Sequence, residues 1–521
     1  VLERTLMTAL AEPSQQRAAS ARAAIVSSPY FFWAVLAFYI AAHIALRLWE
    51  TPNIGKNDVQ EAVAAQAWAW GYHPRNPTLH TWLLMSSYAV FGVSVLAHVV
   101  LKYLLVSLAF VFAFLCGKRV LSTNAMAALA ALSLTLLTPF AWTVHTALTH
   151  TLLLAVMALA TLWTALRLSA DRSLVNYAWF GLALGLGFLA KYSFILFLAP
   201  LLAAMASERD LRAVLGDRRM LAALAVALVV FAPHGVWMLE ARFDFVRFLA
   251  EKQQSEASAG YLADVGQGLA NLSIGALSYA APLLVLLALT WRAAGKRGAG
   301  QASPWSRALP RITLFALAIL VIDVLVLRAT AFEERYFTFA LLTLPLAVFA
   351  MLDLRRDLSS KFLPFWAIGL LVVAVIGLGG LAGRASLAHR TCNRCWEEMA
   401  TPALVQSLHR LGFERGTLVA DHYNLAGNLR LAFPAARTYA ANYVVPQPPA
   451  AAAGRCVLVW NARNAGDRLP VFIEDFLSAR HLPLPQGSPL FVEAPQRRSR
   501  DRMDRFGLWV VDGADGDCRL R

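Results

Sequence analysis

Two carboxylates stand three residues apart in "IGKNDVQEAVAAQAWAWGYHPRNPTLHTWL", Ile54 to Leu83. If 58–70 is helical, Asp58 and Glu61 share a face, because side chains three apart on a helix are neighbours. Carboxylates placed this way can take the proton of an attacking nucleophile. The simpler reading is that Asp58 caps the helix and Glu61 favours its first turn. Trp68 and Trp70 follow, then a stretch rich in proline and basic side chains that includes Arg75 and His80. Further polar residues interrupt apolar surroundings: His150 in "LTHTLLLAVM", Lys191 and Tyr192 in "GLGFLAKYSFILFLAPLLAAM", and Glu333, Glu334 and Arg335 in "TAFEERYF". Each has a plain reading as well, as a packed histidine, a lysine whose stem lies along apolar surface or a solvated turn.

The elements that carry these residues are apolar. Of 521 residues, 58% are hydrophobic and 15% charged, with a mean hydropathy of +0.54; a soluble domain carries about a quarter charged residues. Runs such as "YFFWAVLAFYIAAHIALRLW" and "FLPFWAIGLLVVAVIGLGGLAG" are long enough to cross a hydrocarbon core of about 30 Å. The sequence predicts a polytopic α-helical membrane protein of about eleven spans. They lie near 30–49, 95–116, 123–141, 145–167, 174–190, 192–206, 220–239, 271–291, 311–329, 336–352 and 362–383, with a short interfacial or re-entrant helix at 79–93. The net charge of +15 does not point to nucleic acid, because the basic residues sit in short loops between spans, as the positive-inside rule requires. The first span, preceded by Arg4, Arg17 and Arg22, reads as an uncleaved anchor.

Loop charges set the orientation. Lys118, Arg119, Arg172, Arg209, Arg212, Arg218, Arg219, Arg292, Lys296, Arg297, Arg307, Arg355, Arg356 and Lys361 fall in loops assigned to the cytoplasm. The loop 50–80 then faces out, and so do the turns at Lys191 and Arg335. An odd number of spans sends the C-terminus out as well. Near 384 the composition becomes ordinary, and "PALVQSLHRLGF", "GTLVAD" and "CVLVW" read as helix and strands of a small α/β domain. The organisation expected is a transmembrane catalytic domain over 1–383 and a periplasmic α/β domain over 384–521. Cys392, Cys395, Cys456 and Cys518 lie in this tail, and on an oxidising side four cysteines fit two disulfides, with three connectivities open. Pairing Cys456 with Cys518 and Cys392 with Cys395 is one of them. Zinc at "CNRC" is the lesser alternative, for lack of a second such pair.

Taken in order, these segments resemble the polytopic GT-C glycosyltransferases of family 39 and their bacterial relatives, the lipid-A-modifying aminoarabinose and galacturonic acid transferases. The resemblance rests on "ND" at Asn57–Asp58, "GYHPRNPTLHTWL" at 71–83, "LTHT", "GLGFLAKYS", "PHGVW" at 233–237, "ERYF" at 334–337 and "DHYNLAGNLRLAFP" at 421–434. It spans nearly the whole chain. Asn57 stands where the family usually has its first acid, and Asn76 interrupts the usual Pro-Pro.

The resemblance implies a polyprenyl-phosphate sugar donor and inversion at the anomeric carbon, on the periplasmic face of a bacterial inner membrane. Asp58 is then the expected general base, Glu61 the second candidate and Asn57 their neighbour. The leaving lipid phosphate calls for fixed cations, and Lys191, Arg75, His80 and Arg335 are the candidates. His150, Tyr192 and Glu334 are further site candidates. No acidic cluster on the outer side demands a metal, and a divalent ion is left open. The acceptor expected is a glycolipid or lipopolysaccharide, with a protein O-mannosyltransferase-like activity as the alternative. A lipid or solute transporter would need inverted repeats and ionisable residues at the bilayer midplane; no repeat is evident, and the charges read as lying at helix ends.

Overall fold

The computed structural model describes residues 24–147, 149–241, 260–296, 302–357, 362–391, 396–446, 454–485, 487–499 and 501–511. Helices occupy each of the predicted apolar stretches. Eight are long and apolar enough to cross a membrane: Phe31–Glu50, Val95–Val120, Thr149–Ala170, Met220–Glu240, Tyr261–Ala293, Pro304–Leu327, Glu334–Leu354 and Phe362–Thr391. The pair Asn124–Leu136 and Pro139–Thr146 is bent by 74°, and Leu174–Ala190 and Tyr192–Ala206 are shorter apolar helices. The chain is a multi-pass membrane protein.

It divides into two compact units. The first comprises 1–41, 105–145 and 151–378, and its described elements are helices apart from an antiparallel pairing of Gly295–Lys296 with Arg356–Asp357. The second comprises 42–104, 146–150 and 379–521. Its helices include α1 (Asn57–Ala64), α2 (Leu79–Phe91), the start of α3 (Val95–Val120) and the first residues of α4 (Thr149–Ala170). To these it adds α5 (Thr401–Arg410), α6 (Tyr423–Ala432) and α7 (Val471–Ser478) around a sheet.

That sheet contains β1 (Gly416–Ala420), β2 (Arg437–Ala440), β3 (Arg455–Asn461), β4 (Leu490–Pro495) and β5 (Met503–Val511), in the spatial order β2-β1-β3-β5-β4. Strands β2, β1 and β3 are parallel, and β5 and β4 complete it antiparallel. Alternate side chains along a strand face opposite sides. Leu418, Ala420, Val457 and Val459 therefore pack with Leu404 and Leu408 of α5 and Leu425 and Leu429 of α6. Val419, Leu458 and Trp460 pack with Ile473, Phe476 and Leu477 of α7. Helices cover both faces, which is why "CVLVW" is apolar without alternation. Cys456 on β3 is disulfide-bonded and Cys116 is free; Cys392, Cys395 and Cys518 lie outside the described residues.

Asp421 follows β1 and is buried. Its Oδ2 accepts from the Asn461 N–H at 3.1 Å. Burial pushes its carboxyl up to about 6, with backbone donors pulling only part of the way back. A folded-state pKa above the unfolded value gives stability that is present at low pH and lost as pH rises through about 6. Asp421→Asn keeps an acceptor for Asn461 and carries no charge. We expect it to unfold at a higher temperature than wild type at pH 7, by the equivalent of about 2–3 kcal/mol. Thermal scans across pH check this, since the two proteins should converge towards pH 4.

Candidate active site

Helix α1 is short and has no side-chain cap. Its N-cap residue is Lys56, at a φ of 52°, and the Asp58 N–H donates to the Gly55 carbonyl at 3.1 Å. Asp58 therefore does not cap the helix. The helix also stops at Ala64 and does not run to 70. There Gln66 turns back, its Nε2 donating to the Val63 carbonyl at 2.7 Å. Trp68 and Trp70 consequently leave the helix and lie exposed beside Trp82, with ring centroids 6.1 and 5.8 Å away.

The segment ahead of α1 is fixed from several directions. Arg47 donates to the carbonyls of Thr51 and Asn53 at 2.9 and 2.7 Å. Asn53 Nδ2 donates to the carbonyls of Trp396 and Met399, both at 3.0 Å. Gly55 lies so close to the Trp396 ring that an added Cβ would sit 2.0 Å from it. Only glycine fits there.

Both carboxylates are buried, at 7% exposure for Asp58 and 5% for Glu61, and each has a separate set of partners. Glu61 Oε2 accepts from the Thr81 hydroxyl at 2.8 Å and meets His80 Nδ1 at 3.2 Å, and Oε1 meets His150 Nε2 at 2.8 Å. Burial alone would raise the Glu61 carboxyl, but the two imidazoles outweigh it and hold the group well below its usual range. Asp58 Oδ2 accepts from Lys102 Nζ at 3.0 Å. Burial raises this carboxyl too, and Lys102, His98 and Arg47 bring it below the ordinary value. Asp58 Oδ1 makes no hydrogen bond among the described residues, whereas both oxygens of Glu61 are engaged. A buried charge is tolerated only when it is paired, and both groups meet that condition.

The fold thus gathers Asp58, Glu61, His80 and His150, from α1, α2 and α4. Asn57 opens α1 half-buried, and Arg75 is exposed. The other candidates belong to the helical unit. Lys191 Nζ donates to Thr151 Oγ1 at 2.6 Å, and the Tyr192 hydroxyl meets His234 Nε2 at 3.0 Å. Glu334 accepts from the Thr143 hydroxyl at 2.6 and 2.8 Å, and Arg335 pairs with Glu333 at 2.6 Å.

Sequence reasoning missed Lys102, His98 and Thr81. A signal existed for the first: Lys102 sits eight residues into α3, and an ionisable residue inside an apolar helix implies a function or a partner. The reading that charges lie at helix ends fails at this residue.

Glu61, His80 and His150 also form a donor set suited to a cation. One ligand atom from each lies within 4.8 Å of the others, and two imidazoles with a carboxylate are ligands that Zn²⁺ accepts. The set comes from three separate segments, so no local motif displays it.

Comparison with known proteins finds relatives among glycosyltransferases. A family model described as dolichyl-phosphate-mannose-protein mannosyltransferase matches residues 75–237. The chain is 28% identical over 489 residues to the lipopolysaccharide core galacturonosyltransferase RgtB of Rhizobium johnstonii, covering 92% of this chain and 97% of that one. It is 29% identical over 447 residues to RgtA of the same organism, the lipopolysaccharide core galacturonosyltransferase, covering 82% and 86%. The crystal structure of ArnT from Cupriavidus metallidurans bound to undecaprenyl phosphate superposes with a TM-score of 0.61 at 14% identity, covering 92% of this chain and 98% of that one. This chain is a membrane glycosyltransferase with the GT-C fold. In this enzyme Asp58, Glu61 and their hydrogen-bonded partners lie on α1, α2, α3 and α4, and α6 of the small sheet domain supplies the surface against which α1 packs.

Proposed function

We propose that this glycosyltransferase moves a sugar from a polyprenyl-phosphate donor to a lipopolysaccharide-type glycolipid on the periplasmic face of a bacterial inner membrane, inverting the anomeric centre. The N-terminus is cytoplasmic in this reading, and the 384–521 domain is periplasmic. Support for the acceptor comes from the names of the two curated relatives, and support for the donor from the lipid phosphate held by the ArnT structure. The observation that carries the chemistry is Asp58: ionised, fixed by Lys102 through one oxygen, and with its other oxygen unengaged among the described residues. An acceptor hydroxyl bound at Oδ1 gives up its proton as its oxygen attacks the anomeric carbon from the face opposite the phosphate. The C–O bond to phosphate breaks with the electron pair leaving on phosphate. Inversion follows from the single displacement. Glu61, saturated by Thr81, His80 and His150, holds those groups in place.

Purified enzyme in nanodiscs, given labelled polyprenyl-phosphate galacturonic acid and lipopolysaccharide core acceptor, should transfer label to the acceptor and give one anomer by NMR. Label on protein serine or threonine would favour the mannosyltransferase-like alternative that the family model raises. Donor movement across the bilayer without label transfer would leave a transporter.

For the donor phosphate we propose Lys191 as the cation; Arg75, His80 and Arg335 remain further candidates. A charge-assisted hydrogen bond contributes about 1.5–3 kcal/mol. Lys191→Ala should accordingly raise the donor KM about 10- to 100-fold at an unchanged unfolding temperature. An unchanged donor KM would mean that Lys191 only anchors its helix turn at the interface.

A further inference from the structure

Helix α1 has eight residues, too few for a stable isolated helix in water. Something outside it must fix where Asp58 and Glu61 stand. The first outer loop supplies part of that support, and the sheet domain supplies contacts of a specific kind at both ends of the helix. Before α1, the Asn428 side chain of α6 closes on a single residue: Oδ1 accepts from the Ile54 N–H at 2.8 Å, and Nδ2 donates to the Ile54 carbonyl at 2.9 Å. After α1, the same pairing occurs with the roles of the two segments exchanged. Gln66 Nε2 donates to the Thr438 carbonyl on β2 at 2.8 Å, and Gln66 Oε1 accepts from the Thr438 N–H at 2.9 Å. Each primary amide mimics a strand partner and fixes register as well as distance.

Between the two clasps lies Gly427. A Cβ there would sit 2.6 Å from Val59 Cβ and 2.7 Å from Val59 Cα and O. The Val59 backbone cannot swing aside as a flexible side chain does. Ile54, Val59 and Ala62 form the apolar side of this contact, packed against Tyr423 and Leu431 of α6. The carboxylates of the same helix are held by His80, His150 and Lys102.

We infer that the α/β domain is a positioning element of the active site, setting the place of the Asp58 helix through Gly427 and the amide clasps of Asn428 and Gln66. The inference rests on the proposed reading of α1 as the catalytic helix. The domain would then act on turnover and not only as a covering fold. Residues more than 350 positions along the chain from Asp58 would determine its reach.

Gly427→Ala forces α1 away from α6, since ordinary contact begins at 3.4 Å. A misplacement of about 1 Å costs about 100-fold in rate. The experiment measures kcat, donor KM and unfolding temperature for Gly427→Ala, Gln66→Met and Asn428→Asp in the full-length enzyme. We expect kcat to fall about 100-fold for Gly427→Ala and about tenfold for each clasp variant, with donor KM unchanged. Adding Gly427→Ala to Asp58→Asn should cause no further loss, because the displaced group is already disabled. Full turnover by Asp58→Asn alone would overturn the catalytic reading of α1. An inactive Asp58→Asn beside normal turnover in Gly427→Ala and Gln66→Met would overturn the positioning role and leave the catalytic reading intact. Should Gly427→Ala fail to accumulate, the half-buried Gln66 decides the matter, and normal kcat in Gln66→Met overturns the inference.

Discussion

Asp58→Asn is expected to lower sugar transfer by about 10²–10⁴-fold, the range for loss of a general base, while the protein still folds and binds the donor. The substitution is chosen for what it preserves. Its amide oxygen can still accept from Lys102, now at 3.0 Å from Asp58 Oδ2, so the lysine keeps a partner. What it lacks is an oxygen able to take the acceptor's proton. Removing one partner of a buried ion pair costs about 3–5 kcal/mol, so Asp58→Ala would confuse catalysis with folding. The companion measurement is Glu61→Gln. Both Glu61 oxygens are occupied, and its loss should loosen the imidazoles and lower turnover less than Asp58→Asn does. If Asp58→Asn transfers sugar at a near-normal rate while Glu61→Gln does not, the two carboxylates exchange roles.

The apolar helices were legible because their signal is local. About twenty consecutive apolar residues announce a span, and "FLPFWAIGLLVVAVIGLGGLAG" needs no neighbour to be read. The sheet domain was legible for the same reason, since "GTLVA" and "CVLVW" are strands buried on both faces. The carboxylate pair at Asp58 and Glu61 was visible as a motif, but its partners were not. His80 and Thr81 lie on α2, His150 on α4 and Lys102 on α3. Their meeting is a product of tertiary packing that no periodicity encodes. Propensity overstates the length of α1 because Ala65, Gln66, Ala67 and Ala69, just past its end, are good helix formers. Propensity is a weak prior, and here Gln66 finds Thr438 on β2 instead. The role of Asn428 was equally hidden. Its motif could be quoted, yet nothing in "YNLAGNLRLA" says that the glycine faces Val59 or that the asparagine holds Ile54.

Lys102→Met is expected to move the acid limb of the kcat/KM profile upward and to depress turnover at pH 6 more than at pH 9. Burial by itself raises the Asp58 carboxyl, and Lys102 is the foremost of the charges that bring it below its ordinary value. Removing that cation leaves burial as the largest influence. Burial favours the neutral form of a carboxyl, so losing a counter-charge moves its titration upward. Wild-type enzyme should keep the base ionised down to acid pH, so its profile near pH 6 should be flat with respect to Asp58. In Lys102→Met a larger share of the base is protonated at that pH and cannot accept a proton, and raising the pH restores it. His98 and Arg47 still favour the ionised form, so the shift is smaller than burial alone would give. Lys102→Arg, which keeps the charge, should retain the wild-type limb even if the longer side chain lowers kcat. A Lys102→Met profile that falls uniformly, without a shift, would assign Lys102 a role in packing and remove it from the control of Asp58.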